Sequence, residues 1–306
     1  RSKTARTDYS NYLKSIAKND LKEYDINNLN GLRIAVDCSN GASSVIAPNV
    51  FMSLCDDCYF LAAHPNGTNI NEKCGSTHLE VLQDFVVRNK CDAGLAFDGD
   101  ADRFLAVDEN GHVVDGDKLI AIFAKYLKNK GKLKNNTAVV TVMSNMGFFK
   151  FCEENDINCE KTKVGDRYVL ESMLENDYII GGEQSGHIIF REFATTGDGE
   201  LSALKLLCIM KESGKKLSEL ASEMKVFPQV LINVRVSDFG KARFPRDKEI
   251  KNAIESAEKE LGDTGRVLVR VSGTEPLVRV MLEGKDEEKI NVLAQEIAEV
   301  IKERLL

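Results

Sequence analysis

The sequence predicts an α/β protein: two three-layer α/β domains with mixed or parallel sheets, followed by a small α+β domain with an antiparallel sheet. Up to about residue 228, short apolar runs of strand length alternate with amphipathic segments of helix length. Beyond that point, two predicted strands follow one another with helices on either side. The predicted domains are residues 1–108, 109–228 and 229–306.

The first domain alternates helices and strands. Its predicted helices cover residues 9–24, 42–54 and 78–90, and its predicted strands cover residues 32–38, 59–63 and 93–97. Strands joined by crossover helices lie parallel in one sheet, and ligands bind at the carboxyl ends of such strands. The third strand runs directly into Asp98, so we expect that residue at a ligand-binding edge.

The second domain repeats this pattern and the third departs from it. The second has predicted helices at residues 119–127, 147–155, 168–176, 201–211 and 217–224, and predicted strands at 137–143 and 178–180. The third has predicted strands at residues 230–236, 266–271 and 277–282, and amphipathic helices at 248–261 and 287–305. Consecutive strands of this kind favour an antiparallel sheet covered by helices.

Composition excludes several classes of protein. Lys and Arg number 41 against 48 Asp and Glu, a net charge of −7, which argues against nucleic-acid binding. No apolar run has the length of a membrane span, and residues 1–6 lead into no apolar segment of the kind found in signal peptides. We therefore expect a cytoplasmic protein with neither a nucleic acid nor a membrane as partner.

The eight cysteines are scattered, which favours reduced thiols over a disulfide framework in a chain of 306 residues. Cys55 and Cys58 have the spacing of a redox or zinc-binding pair. Because no second pair with this spacing follows, two unrelated thiols are the favoured interpretation.

Three aspartates alternate with small residues directly after the predicted strand 93–97. Asp98, Asp100 and Asp102 are separated by glycine and alanine, and Arg103 follows. Carboxylates this close repel one another and resist ionisation, and a divalent cation removes that penalty. Oxygen ligands favour Mg²⁺ or Ca²⁺, and Mg²⁺ commonly joins protein carboxylates to phosphate oxygens. The stretch therefore predicts a magnesium site that serves a phosphate-bearing substrate.

This stretch has two alternatives to a magnesium site. A calcium-binding loop that starts at Asp98 would place Glu109 at its twelfth position, but its sixth position requires glycine and holds Arg103. The flanking segments also have strand patterns, whereas the calcium motif needs helices. A solvated acidic turn without a cation is the second alternative.

A second loop, residues 181–187, has the sequence Gly-Gly-Glu-Gln-Ser-Gly-His. It can bring Glu183, Ser185 and His187 close to one ligand, which suits a polyhydroxylated or amino sugar. It is not the elbow of a serine hydrolase, because Glu183 occupies the first glycine position of that motif. His187 is a candidate general acid or base because imidazole titrates near neutral pH. The alternatives are a purely structural turn and, for His187, an ordinary hydrogen-bonding role.

A third loop, residues 270–279, has the sequence Arg-Val-Ser-Gly-Thr-Glu-Pro-Leu-Val-Arg and joins two predicted strands. Backbone N–H groups and hydroxyls flanked by Arg270 and Arg279 predict an anion site, since arginine binds phosphate through two hydrogen bonds. A hairpin turn with surface arginines is the alternative. Residues 163–167, Lys-Val-Gly-Asp-Arg, give a weaker signal: a glycine turn with two cations beside an acid.

Taken together and in this order, the three loops resemble those of the α-D-phosphohexomutase superfamily, and the resemblance runs over the whole chain. Residues 97–103 resemble the family's metal loop, which usually has glycine where this chain has Ala101. Residues 69–75, 142–147, 163–169 and 195–199 are similar to segments of the glucosamine branch. The loop 183–187 also has the glucosamine form, because the mannose and glucose branches more often carry another residue at the position of Gln184.

The resemblance implies a role for each loop. Asp98, Asp100 and Asp102 would bind one Mg²⁺. Arg103 and Lys163 would be catalytic cations near the transferring phosphoryl group, and His187 a candidate acid or base. The residues that would bind substrate are Asp166, Arg167, Glu183, Ser185 and His187, together with Arg270, Ser272, Gly273, Thr274 and Arg279 at the non-reacting phosphate.

The same resemblance implies a parent enzyme that interconverts glucosamine 6-phosphate and glucosamine 1-phosphate, a step toward UDP-N-acetylglucosamine and cell-wall synthesis. A phosphoserine would transfer its phosphoryl group to the sugar, with glucosamine 1,6-bisphosphate as intermediate and activator. The alternatives are a phosphomannomutase or phosphoglucomutase, and a non-catalytic module that binds phosphosugar and Mg²⁺. A phosphosugar is the expected partner, and a homodimer of the full-length protein is left open.

One feature of the family has no counterpart in these 306 residues. The family's phosphoserine loop resembles Ser-Ala-Ser-His-Asn-Pro, and residues 39–44, Ser-Asn-Gly-Ala-Ser-Ser, do not match it because they lie at a strand-to-helix turn. We therefore expect a fragment of the family's domains two to four that is inactive alone. The phosphoserine, which would complete the coordination of the metal, would lie outside it.

Overall fold

A computed structural model of the protein describes residues 4–273 and 275–306, which form two compact units. The first unit contains residues 4–144 and 148–224, and the second contains residues 145–147 and 225–306. Each unit has its own cluster of buried apolar side chains. Thr274, which the sequence assigns to the phosphate loop, lies outside the described residues.

The first sheet of unit one has five strands in the order β2-β1-β3-β4-β5. The strands are β1 Arg33–Asp37, β2 Asp57–Leu61, β3 Ala93–Phe97, β4 Phe104–Asp108 and β5 Val113–Val114, and the helices before β4 are α1 Ala5–Lys22, α2 Ser43–Phe51 and α3 Glu80–Asn89. Strands β2, β1 and β3 are parallel, while β4 and β5 are antiparallel to their neighbours. The sheet is therefore mixed, as predicted.

The second sheet has four strands in the order β7-β6-β8-β9. The strands are β6 Thr137–Thr141, β7 Asn158–Thr162, β8 Ile180–Gly182 and β9 Ile188–Phe190, and the helices are α4 Gly116–Asn129, α5 Met146–Glu154, α6 Asp166–Glu175, α7 Gly199–Ser213 and α8 Leu217–Ser222. Strands β7, β6 and β8 are parallel, and β9 runs antiparallel to β8. Both sheets are mixed, so the predicted fold class is confirmed for this part of the chain.

Two strands of this sheet had no counterpart in the sequence prediction. Strand β7 has the polar sequence Asn-Cys-Glu-Lys-Thr, because it lies at the edge of the sheet and none of its side chains is buried. Strand β9 has only three residues, too few for a periodic pattern. The strand predicted at residues 178–180 begins at Ile180 and continues to Gly182 instead. Strands β8 and β9 form a hairpin, and the loop 183–187 connects them.

Helix α7 joins the two sheets of unit one. Eleven of its fifteen residues are buried, so it is apolar on nearly all sides, as expected for a helix surrounded by protein. It packs against α1 and α4 and contacts strands of both sheets, β3 and β4 of the first and β9 of the second. One hydrophobic cluster therefore runs through both sheets and fixes the loops that lie at their ends.

The second unit has a three-stranded antiparallel sheet in the order β10-β12-β11. Its strands are β10 Gln229–Arg235, β11 Gly265–Val271 and β12 Leu277–Gly284, and its helices are α9 Asp238–Arg243, α10 Lys248–Leu261 and α11 Glu287–Leu305. The predicted α+β architecture is confirmed, and α9 is a short helix that the sequence analysis did not predict. Glu283 is buried on β12, where it pairs with Arg266 at 2.6 Å and accepts the N–H of Met146 at 2.8 Å.

None of the helices in residues 4–273 and 275–306 is long and apolar enough to cross a membrane. All eight cysteines are free thiols, and the Sγ of Cys58 lies 3.3 Å from the carbonyl oxygen of Cys55.

A buried carboxyl group stands near the start of α7. Glu200 is 2% exposed, and neither of its carboxyl oxygens has a hydrogen-bond partner within the described residues. Burial, reinforced by the nearby charge of Asp198, raises the pKa of Glu200 well above its ordinary value of 4.5. The charge of ionised Glu200 would also raise the pKa of the Tyr9 hydroxyl and of the Cys38 thiol. Burial therefore favours the protonated form of Glu200 in the folded protein.

We predict that Glu200→Gln stabilises the protein increasingly as the pH rises above about 4.5. The folded state holds the proton of Glu200 while the unfolded state releases it, so the wild type loses stability with rising pH, and glutamine has no proton to release. Thermal unfolding followed by circular dichroism from pH 4 to pH 8 measures this. At pH 7 the variant should melt at least about 2 °C higher, the shift that roughly 1 kcal/mol produces in a domain of this size. A gap that stays constant with pH would contradict the assignment.

Candidate active site

The three aspartates lie in the connection between β3 and β4. Phe97 and Phe104 are paired across that hairpin, so the intervening residues form a loop at the carboxyl end of β3. Asp98, Asp100 and Asp102 each present a carboxylate oxygen within 4.8 Å of the others. The structure therefore brings together the three residues that the sequence selected for a metal, in a spacing that one cation can span.

The electrostatics of this loop favour a cation. The Asp98 side chain is 14% exposed, and this burial, reinforced by the neighbouring charges of Asp102 and Asp100, raises the pKa of Asp98 to about 6. The N–H of Arg103 donates to Asp98 at 3.2 Å, and the Arg103 guanidinium lies 3.8 Å from Asp98 and 4.0 Å from Asp102, which partly offsets the repulsion. Three hard carboxylate oxygens of this kind fit Mg²⁺ or the similar Mn²⁺.

The backbone of the loop is strained at one position. Ala101 has φ +63°, in the left-handed region that costs a residue with a Cβ roughly 1–2 kcal/mol. This is the position where the resembling family usually has glycine. The carbonyl of Ala101 accepts the N–H of Gly199 at 2.9 Å, so a neighbouring segment helps to hold the strained conformation.

Backbone from other loops approaches the acidic loop closely. The N–H of Ala42 donates to the carbonyl of Gly99 at 2.9 Å, and a Cβ at Gly41 would lie 2.3 Å from that same oxygen. A Cβ at Gly197 would lie 2.6 Å from the carbonyl oxygen of Asp102. Glycine is required at both positions because no side chain fits between the two backbones.

The loop 183–187 turns tightly between β8 and β9. Its turn is closed by backbone bonds from Glu183 to His187 at 3.0 Å and from Gly186 to Glu183 at 2.9 Å. Phe104 donates to the carbonyl of Gly186 at 3.0 Å, and Arg103 and His187 form an isolated antiparallel bridge. The structure therefore joins this loop directly to the end of the acidic loop.

The side chains of the loop 183–187 face different partners. Ser185 is exposed, and Oε1 of Glu183 accepts the N–H of Gly165 at 3.1 Å. Gln184 donates to Asp115 at 3.2 Å, a contact that sequence reasoning did not anticipate.

His187 is the most enclosed of the predicted site residues in this unit, with a side chain that is 4% exposed. Its Nδ1 lies 3.2 Å from an oxygen of Asp102, and its Nε2 accepts the N–H of Gly197 at 2.9 Å. The carboxylate of Asp166 is 3.9 Å from the same Nε2. One imidazole ring thus contacts the acidic loop, the segment before α7 and the first residue of α6.

The other two cations predicted for this unit, Lys163 and Arg167, are both exposed. Lys163 is exposed and its Nζ lies 5.7 Å from the centre of the Tyr168 ring. Arg167 pairs with Glu171 at 2.7 Å along α6 and does not reach the acidic loop in the described structure. Of the two cations that were predicted to be catalytic, Arg103 contacts the three-aspartate cluster and Lys163 lies on the surface.

The segment 197–199 is the main contributor that sequence reasoning left without a role. It donates through Gly197 to His187 and through Gly199 to Ala101, while Asp198 caps α7 by accepting the N–H of Leu201 at 2.9 Å. The hydroxyl of Tyr9 also donates to Asp198 at 2.8 Å. A Gly-Asp-Gly run before a helix is the one sequence signal of this arrangement.

In the second unit, the phosphate-type loop connects β11 to β12. Arg270 and Arg279 are directly opposite in the register of the two strands. Burial, with the repulsion of Arg279, lowers the pKa of Arg270. Glu275 pairs with Arg279 at 2.5 Å, while the Nε of Arg279 has no hydrogen-bond partner within the described residues. Like charges opposite each other are destabilising, so this pair favours a bound anion.

The turn of this loop is ordered by Ser272. Its N–H donates to the carbonyl of Leu277 at 2.8 Å, and its hydroxyl accepts the N–H of Glu275 at 3.2 Å. A Cβ at Gly273 would meet nothing within 4 Å, so the backbone there is open on that side.

Models of known families match most of the chain. Three family models match in chain order: phosphoglucomutase/phosphomannomutase alpha/beta/alpha domain II at residues 10–111, domain III at residues 115–227, and the C-terminal domain at residues 231–300. The chain belongs to the phosphoglucomutase/phosphomannomutase family.

Individual curated proteins give a more specific match than the family models do. The chain is 56% identical over 298 residues to the phosphoglucosamine mutase of Acetivibrio thermocellus, covering 97% of this chain and 65% of that protein. It is 52% identical over 298 residues to the phosphoglucosamine mutase of Clostridium botulinum strain Kyoto, with the same two coverages. The chain thus spans about 65% of the length of these curated relatives.

Solved structures share the fold. The N-acetylphosphoglucosamine mutase of Aspergillus fumigatus aligns with a TM-score of 0.78 at 20% identity, covering 97% of this chain and 64% of that one. A structure of the same fungal enzyme in complex with GlcNAc-6P and magnesium aligns with a TM-score of 0.75 at 19% identity, covering 97% and 66%.

We predict that Gly197→Ala distorts the acidic loop. The new Cβ would lie 2.6 Å from the Asp102 carbonyl and from two atoms of the His187 ring, and overpacking of this kind costs about 1–3 kcal/mol. In ¹H–¹⁵N correlation spectra, the amide signals of residues 98–103 and of His187 should shift. The matched control is Gly214→Ala, where φ is +64° but nothing lies within 4 Å of the added Cβ. The control should lose stability without moving those signals, and unshifted signals in Gly197→Ala would refute the packing argument.

Proposed function

We propose that these three domains belong to a phosphoglucosamine mutase, which interconverts glucosamine 6-phosphate and glucosamine 1-phosphate through glucosamine 1,6-bisphosphate. The observation that carries the proposal is the cluster of Asp98, Asp100 and Asp102 joined to the loop 183–187 within one unit. That junction puts a cation site beside side chains suited to a sugar. Relatives that are 52% to 57% identical carry the name of this activity.

We assign one Mg²⁺ to Asp98, Asp100 and Asp102. The support is the 4.8 Å spacing of their oxygens, together with the raised pKa of Asp98, which is caused first by burial and then by the charges of Asp102 and Asp100. The magnesium complex of the fungal structural relative also supports the choice of metal. When bound, Mg²⁺ supplies positive charge that stabilises the oxygens of a transferring phosphoryl group.

Arg103 and Lys163 are the proposed catalytic cations. Phosphoryl transfer depends mainly on positioning and on stabilising negative charge. Fixed cations around the transferring group therefore supply most of the protein's contribution to catalysis. Arg103 is the better positioned of the two, because its guanidinium lies within 4.0 Å of two of the aspartates. Lys163 is exposed and free to orient toward a bound phosphate.

Recognition of the sugar is assigned to Glu183 and Ser185, with Asp166 and Arg167 nearby on α6. One oxygen of Glu183 accepts the N–H of Gly165, and we assign the other to a hydroxyl or to the protonated 2-amino group of the sugar. The Nε2 of His187 accepts the N–H of Gly197, and its Nδ1 lies 3.2 Å from Asp102, so proton exchange with substrate through Nε2 would require the bond to Gly197 to break.

The non-reacting phosphate is assigned to the second unit. Arg270 and Arg279 supply two positive charges opposite each other, and the buried Nε of Arg279 has no hydrogen-bond partner within the described residues. Ser272 and Gly273 add a hydroxyl and open backbone in the turn between them. Arginine pairs on phosphate form charge-assisted bonds worth about 1.5–3 kcal/mol each.

Domain boundaries near residues 108 and 228 are part of the proposal, supported by the gaps between matched family models at residues 112–114 and 228–230. Action in the cytoplasm and a homodimer of the full-length protein stay predictions. The second candidate function is phosphoglucomutase or phosphomannomutase, favoured by the descriptions of the matched models.

We predict that, in Mg²⁺, this chain binds glucosamine 6-phosphate roughly tenfold or more tightly than glucose 6-phosphate or mannose 6-phosphate. The protonated 2-amino group can pair with Glu183, and a hydrogen bond to a charged group contributes about 1.5–3 kcal/mol. Isothermal titration calorimetry with the three sugars measures the affinities. Arg270→Met should weaken binding of all three by a similar factor, because the phosphate is common to them.

The matched control is Arg246→Met, which removes an exposed arginine of the same unit and should leave all three affinities unchanged. Equal or tighter binding of glucose or mannose 6-phosphate would favour the second candidate function. Failure to bind any of the three would refute both.

A further inference from the structure

We propose that Asn71, in the connection between β2 and α3, binds an oxygen of the phosphoryl group at the metal site. This role rests on the proposed assignment of Mg²⁺ to Asp98, Asp100 and Asp102. The side-chain amide of Asn71 is the hydrogen-bond donor, and the phosphate oxygen is the acceptor.

Left-handed backbone concentrates at the carboxyl edge of the first sheet. Twelve non-glycine residues in the described ranges have φ in the left-handed region, and six of them follow β1, β2 or β3 in the chain. The six are Ser39, Asn40, Ala62, Asn71, Lys73 and Ala101. Such backbone is costly for most residues with a Cβ, and it gathers at functional sites where the surrounding structure enforces it. This edge therefore has the backbone that is typical of a binding site.

The connection between β2 and α3 is held against the ends of β1 and β3. The N–H of Asn71 donates to the carbonyl of Ser39 at 2.9 Å, and the N–H of Gly75 donates to the buried carboxylate of Asp37 at 2.9 Å. A Cβ at Gly75 would lie 2.5 Å from the carbonyl oxygen of Phe97, the last residue of β3. The position of Asn71 is therefore fixed relative to the strand that leads into the acidic loop.

The side chain of Asn71 lies against the middle of the acidic loop. A Cβ built at Gly99 would be 2.8 Å from the Nδ2 of Asn71, so the absence of a side chain at Gly99 leaves room for this amide. Gly99 is flanked by Asp98 and Asp100, two of the proposed metal ligands. The amide is therefore beside the backbone that carries both carboxylates.

Three other asparagines in this region use their side chains to hold the backbone. Oδ1 of Asn40 accepts the N–H of His64 at 3.1 Å, and Nδ2 of Asn69 donates to the carbonyl of His64 at 3.1 Å. Oδ1 of Asn66 accepts the N–H of Asn69 at 3.0 Å. The side chain of Asn71 is exposed and makes no hydrogen bond to any other residue that the structure describes. Its amide is therefore available to a ligand.

The chemistry of phosphate matches this placement. Ionised carboxylates only accept hydrogen bonds, so the three aspartates offer no donor to a phosphate oxygen. The Arg103 guanidinium supplies donors from within the acidic loop, and Asn71 adds two N–H groups from a different loop. Phosphate oxygens are charged acceptors, and hydrogen bonds to such acceptors are stronger than those between neutral groups.

The test combines two measurements on the whole chain. Electron paramagnetic resonance of free Mn²⁺ gives the affinity for the metal. Methyl phosphate, which has a phosphoryl group and no sugar, is then titrated into the Mn²⁺-loaded protein. Its ³¹P relaxation rate reports phosphate bound next to the paramagnetic ion, and a protein-free titration corrects for Mn²⁺ in solution.

Asn71→Gly separates the side chain from the backbone. Glycine adopts left-handed backbone readily, so this variant removes the amide and keeps the conformation of the connection. It should bind Mn²⁺ as the wild type does and bind methyl phosphate about 10-fold more weakly, the loss expected for one hydrogen bond to a charged acceptor. Asn71→Asp also tolerates the backbone but replaces the donor with a carboxylate, so it should bind methyl phosphate more weakly still.

The matched control is Asn135→Gly, which replaces another left-handed asparagine of the same unit, with φ +52°. Asn135 lies before β6, and its side chain donates to the carbonyl of Asn176 at 3.0 Å. This variant should bind Mn²⁺ and methyl phosphate as the wild type does. Circular dichroism melts establish that the compared variants are folded.

The two measurements separate the failure of the metal assignment from the failure of the role of Asn71. Wild-type protein that binds no Mn²⁺ would refute both. Wild-type protein that binds Mn²⁺ but not methyl phosphate would refute the role of Asn71 alone. Equal methyl phosphate affinity in folded Asn71→Gly would do the same, and so would tighter binding by Asn71→Asp than by Asn71→Gly. A loss of Mn²⁺ affinity in Asn71→Gly as large as its loss of phosphate affinity would also overturn it, because the amide would then act through the acidic loop.

Discussion

Mutual repulsion among Asp98, Asp100 and Asp102 is the constraint on which the rest of the site depends. Three carboxylates with oxygens within 4.8 Å, one of them largely buried, form a stable loop only if positive charge and hydrogen-bond donors surround them. Arg103 supplies charge, its own N–H bonds Asp98, and His187 contacts Asp102. The backbone of Ala42 and Gly199 fixes the loop from either side. Helix α7, buried among both sheets, makes these approaches possible because it fixes where the contributing loops lie.

In the second unit the charges that lie close together are positive. Arg270 and Arg279 face each other across two antiparallel strands, and Glu275 neutralises only part of their charge. Each concentration of charge suits a phosphate-bearing ligand by itself, because a divalent cation held by carboxylates and an arginine both bind phosphate oxygens. In the first unit, the loop 183–187 adds uncharged and acidic hydrogen-bonding groups next to the aspartates.

The sequence predicted those parts of the molecule that are encoded locally. The alternation of apolar runs predicted most helices and both α/β sheets, and helices α10 and α11 have the predicted bounds. The spacing of three aspartates pointed to a cation without any knowledge of tertiary structure. Strand β7 escaped prediction because an edge strand has no buried face to create a periodic pattern. The contacts of His187 with Asp102 and Gly197 escaped because a loop-to-loop hydrogen bond leaves no periodic trace in either segment. The left-handed backbone of Ala101 is not indicated by alanine itself, and the glycine usual in the resembling family at this position is its one sign.

Anomalous X-ray scattering from Mn²⁺ in crystals of this protein tests the central claim most directly, because it locates the cation without assuming its ligands. Mn²⁺ substitutes for Mg²⁺ at hard oxygen sites and is visible where Mg²⁺ is not. We predict an anomalous peak about 2.0–2.6 Å from one carboxylate oxygen each of Asp98, Asp100 and Asp102. Crystals that bind Mn²⁺ elsewhere, with no peak at the three aspartates, would contradict the assignment of a metal to this loop.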